Sequence, residues 1–180
     1  MGKIAVHEFI TLDGVIESPA WTADYDFDPK MGEAISRFMD EALLLGRRTF
    51  EMFAQAWPNR TAEEDPGAPF MNESPKYVVS STLESPEWNN SHVLGPYDAG
   101  TIRDLKDRID GFIYVSGSAM LVRQMLRDGL VDELHLFVYP LTLGSGERLF
   151  TEGDAGVKLT PSETEAYDSG VVHLGYRPAP

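Results

Sequence analysis

Two stretches of this chain place small and cationic residues where an apolar run gives way to a helical pattern. They are Leu43-Leu44-Leu45-Gly46-Arg47-Arg48-Thr49-Phe50 and Ile113-Tyr114-Val115-Ser116-Gly117-Ser118-Ala119-Met120-Leu121. The first N–H groups of a helix lack intrahelical partners and carry a partial positive charge, and Gly or Ser lets a phosphate approach them. Two such junctions at the carboxyl ends of parallel strands suit a ligand with phosphates at separated points, as a dinucleotide has. Either junction alone is a weak signal, because any strand-to-helix turn uses Gly and Ser and neither contains G-x-G-x-x-G. Arg47 and Arg48 strengthen the first by adding charge-assisted donors.

Other residues carry chemistry less specifically. Asp13 stands in an Asp-Gly pair, a turn signal that also offers a carboxylate for proton transfer. Trp21 and Phe38 could stack on a flat heterocycle, although aromatic residues are more often core, and Phe38 lies on an apolar helix face. Leu141, Gly144, Gly146 and Phe150 could wall a substrate pocket; the glycines by themselves mean a turn. His7, His92, His135 and His173 lie far apart without ligand spacing and read as sheet-face residues, so no metal is expected.

Composition narrows the classes. The chain has 180 residues, 42% hydrophobic and 24% charged, which is ordinary for one compact domain. There is no Cys, which excludes disulfides, a Cys-ligated zinc and a catalytic thiol, and fits a reducing compartment. Acidic residues outnumber basic ones 29 to 15, and a net charge of −14 without a Lys/Arg run argues against nucleic acid and anionic lipid. No signal peptide is read at the start, and no stretch approaches the ~18 apolar residues of a membrane span. The expectation is a soluble, cytoplasmic protein.

The elements that must position these residues follow from periodicity. Residues 4–10 read as a strand ending at Asp13-Gly14, and Met31, Ile35, Phe38, Met39 and Ala42 predict a helix over 29–41. A buried strand over 43–45 leads into a helix over 47–56, and the Pro-, Gly- and acid-rich 58–75 reads as a surface loop. Strands follow at 77–79 and 92–94, then a helix from Thr101, taken as its N-cap, to about 109. A strand over 112–115, a helix over 119–127 stopped by Gly129, a strand over 131–139 and two closing antiparallel strands complete the chain. Residues 1–180 therefore form one α/β domain, with a mixed sheet of about seven to nine strands and helices on both faces.

Several segments, in order, resemble dihydrofolate reductases. TLDGVI (11–16) is similar to their loop beside the nicotinamide, and LLLGRRTFE (43–51) to their segment that grips the cofactor phosphates. YVVSST (77–82) resembles their strand near the adenosine ribose, and YVSGSAML (114–121) their glycine turn under the pyrophosphate. GLVDELHLFVYPLTLGSGERLF (129–150) resembles the signature of the deaminase-reductase C-terminal domain family of riboflavin biosynthesis. With no Cys and no H-x-E, the chain lacks the zinc deaminase that accompanies that domain elsewhere.

The resemblance implies a single domain with the dihydrofolate reductase-like mixed central sheet. It implies NADPH as cofactor, held by Ile16, Gly46, Arg47, Arg48, Thr49, Ser80, Ser81, Thr82, Ser116, Gly117, Ser118, Ala119 and Met120, with a cis bond at Ser116-Gly117. Asp13 is the candidate catalytic residue, and Trp21, Phe38, Leu141 and Phe150 are the candidate substrate contacts. The implied activity is hydride transfer to a pterin- or pyrimidine-like heterocycle. The alternatives are a true 5-amino-6-(5-phosphoribosylamino)uracil reductase and a dinucleotide-binding module without catalysis. A homodimer is implied by the resemblance alone.

Overall fold

The computed structural model describes residues 1–180. Its eight strands are β1 (Lys3–Thr11), β2 (Ala42–Gly46), β3 (Lys76–Val79), β4 (Ser91–Gly95), β5 (Phe112–Val115), β6 (Glu133–Tyr139), β7 (Leu159–Ala166) and β8 (Val172–Pro178). They form one sheet in the order β4-β3-β2-β5-β1-β6-β8-β7. The first six are parallel, and β8 and β7 close one edge antiparallel. The helices are α1 (Pro29–Ser36), α2 (Arg47–Ala56), α3 (Ala68–Glu73), α4 (Ala99–Arg108) and α5 (Ala119–Arg127). No helix is long and apolar enough to cross a membrane.

Alternation along β1 separates two cores. Ile4, Val6 and Ile10 face one side with Ile102 and Leu105 of α4 and Leu121, Val122 and Met125 of α5. Ala5 faces the other side with Met31 and Ile35 of α1, Phe50 of α2 and Met71 of α3. Helices therefore cover both faces of a mixed sheet in a single α/β domain, as the sequence pattern predicts.

Four local expectations are corrected. The helix expected to reach residue 41 ends at Ser36, because Phe38 and Met39 donate to Ile35 and Ser36 in a tight i→i−3 turn before β2. The 58–75 loop contains α3, whose Ala68 and Met71 are buried and whose neighbour Trp57 is fixed by the Asn72 side chain. The helix placed from Thr101 starts at Ala99, and the cap is Asp98, whose carboxylate accepts from the Thr101 N–H at 2.7 Å. The cis bond is Gly117-Ser118, one residue later than expected.

Candidate active site

β2 and β5 are neighbours, so the two strand-to-helix junctions that they feed lie side by side. The Gly46 N–H donates to the Gly117 carbonyl at 3.3 Å. A Cβ on Gly46 would stand 2.9 Å from Cβ and 3.0 Å from N of Ser118, and a Cβ on Gly117 would stand 2.6 Å from Thr49 Oγ1. Gly117 also has φ of +86°, a conformation that L side chains rarely adopt. Neither Gly46 nor Ser118 caps its helix with a side chain, so the N–H groups opening α2 and α5 are left for another acceptor.

The other predicted cofactor residues fall around this seam or beside it. Thr49 is buried beneath Gly117, and Ser116 bonds the Tyr114 hydroxyl. Ser80 spends its hydroxyl accepting from the Thr82 and Leu83 N–H groups, which closes the turn after β3 and leaves Ser81 and Thr82 exposed. Ile16 joins through its N–H to the Glu147 carbonyl, and Arg48 approaches the Glu147 carboxylate at 3.9 Å. Arg47 is drawn along α2 into an exposed pair with Glu51 at 2.9 Å. Ala119 is buried at the first turn of α5, whereas Met120 turns away, 61% exposed.

Asp13, the candidate catalytic residue, is held by its neighbours on several sides. Its carboxylate accepts from Thr11 Oγ1 at 2.5 Å and from the Leu143 and Gly144 N–H groups at 3.2 and 2.7 Å, and its carbonyl accepts from Arg148. The Thr11 hydroxyl and the Gly144 N–H hold its pKa down to about 2, which leaves a carboxylate at neutral pH with no proton to give. Asp13 is a latch between the 11–16 loop and the 143–148 loop. We therefore expect Asp13→Asn to lower Tm and turnover together; a fall in turnover with Tm unchanged would restore the proton-donor role.

The candidate substrate residues divide. Trp21 packs edge-on to Tyr139 with centroids 5.2 Å apart, and Leu141 lies beside it, its N–H bonded to the Tyr139 carbonyl. Tyr25 and Phe9 also meet Tyr139, at 5.3 and 5.6 Å, making an aromatic wall at the carboxyl end of β6. Phe38 and Phe150 stand apart. Phe38 is 2% exposed and stacks on His135 at 4.4 Å, so it belongs to the core near the start of β6. Phe150, with Met120, lines a groove of about 700 Å³ beside α5.

Sequence reasoning missed what lies beneath the seam. Glu8 of β1 is buried, its Oε1 has no partner, and it accepts from Gly117. Burial raises its pKa to about 8, so it is a neutral acid at lower pH. His7 binds the Tyr114 hydroxyl at 2.8 Å and is held neutral by burial, its pKa lowered to about 3. The signal was present: a lone acid and a lone imidazole inside an otherwise apolar strand.

Comparison with known proteins agrees with this geometry. The RibD C-terminal domain family model matches residues 2–96 and 98–173. The uncharacterized protein YyaP of Bacillus subtilis is 30% identical over 180 residues, covering 97% of this chain and 94% of that one. A protein from Shewanella sp. PV-4 assigned to riboflavin biosynthesis has a similar structure, with TM-score 0.77, 21% identity and full coverage of both chains. Dihydrofolate reductase from Enterococcus faecalis, in complex with NADP(H), superposes with TM-score 0.68 and 16% identity over 99% of this chain and 98% of that one. The fold is thus dihydrofolate reductase-like, and the chain belongs to the RibD C-terminal domain family.

Proposed function

We propose that this reductase-type domain binds NADPH across the Gly46/Gly117 seam and reduces a pterin- or pyrimidine-like heterocycle held against Tyr139 and Trp21. The observation that carries the reading is the meeting of two uncapped helix starts over glycines that a Cβ would close. That cradle fits a pyrophosphate, since backbone N–H groups and both helix dipoles point to one place. NADPH, when bound, supplies the hydride. The chain's own residues orient and shield: Thr49 and the α5 start hold the phosphates, Ile16 covers the cleft, and the Phe9, Trp21, Tyr25 and Tyr139 wall stacks a flat ring and excludes water. The same reading makes the protein a cytoplasmic homodimer, and sedimentation checks the dimer.

The cofactor preference rests on Arg47. The exposed Arg47–Glu51 pair is an i,i+4 surface contact of small worth, which a phosphate on the adenosine ribose displaces by stronger charge-assisted bonds. Losing a charged hydrogen-bond partner costs ~1.5–3 kcal/mol, roughly ten- to a hundred-fold in affinity. Titration of nicotinamide fluorescence should show NADPH preferred over NADH, with Arg47→Ala losing NADPH affinity and barely moving NADH. Equal wild-type affinity for both cofactors refutes the preference. Binding without turnover over a panel of pterins and pyrimidines assigns a non-catalytic dinucleotide module instead.

A further inference from the structure

Three of the four histidines, distant in sequence, converge on one sheet face. His7 and His135 are register partners on β1 and β6, and His173 stands opposite Phe137 on β8. His135 and His173 are 2% and 1% exposed, and their rings meet through His135 Nδ1 and His173 Nε2 at 3.0 Å. Glu163 of β7 completes a triangle, with Oε1 3.4 Å from His135 Nδ1 and 4.0 Å from His173 Nε2.

The backbone is shaped to bring Glu163 there. Register along β7 slips between Pro161 and Glu163, so Ser162 is an extra residue and the strand re-aims its next side chain. His135 and Glu163 both pair with Gly175 across the sheet. A Cβ at Gly175 would stand 2.6 Å from Glu163 Cγ, so only glycine lets that side chain fold toward the imidazoles.

The hydrogen bonds leave one position without a proton. Glu133 can only accept, so its contact with His135 Nε2 at 3.2 Å puts the ring proton on Nε2 and a lone pair on Nδ1. Glu163 Oε1, another acceptor, faces that lone pair at 3.4 Å. The single proton on His173 Nε2 serves Nδ1 and lies too far from Oε1 to serve both. Each acceptor has a donor elsewhere, His173 for Nδ1 and Arg37 for Oε1, but no proton lies between the two at 3.4 Å, and a cation there would join them.

We infer that His135, His173 and Glu163 form a binding site for a zinc-class divalent transition-metal ion, separate from the dinucleotide seam. Tetrahedral zinc with ligand bonds of about 2.0–2.1 Å needs donor atoms about 3.3–3.4 Å apart, and the triangle's edges of 3.0, 3.4 and 4.0 Å bracket that spacing. Two of the three ligands have the outer partners expected of such a site. Glu133 accepts from the far nitrogen of His135, and Arg37 donates to both oxygens of Glu163 at 2.9–3.0 Å. A cavity of about 330 Å³ lined by Arg37, Glu133, Ser162 and Glu163 gives the ion its entry, and three protein ligands leave a position for water. The net charge of −14 draws cations to the chain. The ion would fasten the β7–β8 edge to β6.

The test uses the full chain, stripped with chelator and titrated with Zn²⁺ and Co²⁺. One equivalent should bind, Co²⁺ should give the intense visible bands of a four-coordinate site, and Tm should rise with Zn²⁺. Glu163→Gln and His173→Gln should abolish these responses, and Glu133→Gln should weaken affinity about ten- to a hundred-fold. His92→Gln, on an exposed residue of β4, should change nothing. The wild-type Co²⁺ spectrum and Tm response stand even where a variant fails to fold. Absence of binding by folded wild-type protein overturns the site, as does binding that survives both ligand variants. NADPH titration is read independently, so either proposal can fail alone.

Discussion

Glu8→Gln should unfold at the same urea concentration as wild type at pH 4.5 and at a much higher one at pH 8.5. Glu8 is a buried acid whose pKa is raised from 4.5 to about 8, chiefly by desolvation, with Glu147 adding repulsion. Between those values the unfolded chain has released the proton and the folded chain still holds it, so stability falls as pH rises. The slope is about 1.4 kcal/mol per pH unit, or on the order of 4–5 kcal/mol across the window. Glutamine keeps the acceptor for Gly117 and never ionises, so it escapes this loss. His7 acts with the opposite sign. Its folded pKa lies near 3 against 6.5, so the unfolded chain takes up a proton first and stability is lost as pH falls below 6.5. Together the two groups predict a plateau between about pH 4.5 and 6.5 with decline on either side. Urea titrations in chelator at pH 3.5, 4.5, 6.5 and 8.5 read this directly, and a variant with the wild-type pH profile would show that Glu8 ionises freely in the folded state.

Gly46→Ala should destabilise the chain and remove dinucleotide binding in one step. Gly46 has φ of −75°, which alanine adopts without strain, so any effect comes from the approach to Ser118 and not from the backbone. The added methyl meets Cβ and N of Ser118 at 2.9 and 3.0 Å, and opening that seam costs about 1–3 kcal/mol. Separating the two helix starts also unaims their N–H groups, so NADPH affinity should fall well beyond the stability loss. Ser118→Gly combined with Gly46→Ala should recover part of both. Gly144→Ala is the contrast, since nothing lies within 4 Å of its Cβ although its φ is +75°. Wild-type NADPH affinity in Gly46→Ala would detach the seam from cofactor binding.

What the sequence made legible was local and periodic. The apolar run before Gly46 and the one before Ser116 announce β2 and β5 and, with the small residues that follow, the two junctions behind them. That these junctions touch depends on β2 and β5 being neighbours, a pairing across about seventy residues that no period encodes. The contacts of Asp13 are hidden for the same reason, since its carboxylate is held by Leu143 and Gly144, 130 and 131 residues away. Phe38 continued the apolar period of α1 after the helix had already turned, and its partner His135 comes from a distant strand. Glu8 needed no tertiary information, because an acid inside an apolar strand is itself the signal. The His135–Glu163–His173 triangle was beyond reach, since it depends on an antiparallel edge and a bulge of one residue.

The place of β1 in the sheet bears on how the chain can be made. Of the eight strands, β1 is made before the others, yet it lies between β5 and β6, and its partners run from Phe112 to Tyr139. Translation at 5–20 residues per second separates Thr11 from Tyr139 by roughly 6–26 s, the time before a strand rich in Ile, Val and Phe has both its partners. The nascent chain is therefore expected to need shielding of β1 until those partners emerge. A circular permutant that begins at β5 and joins the present termini by a flexible linker would deliver β5, β6 and β1 in closer succession, and should depend less on such shielding during synthesis.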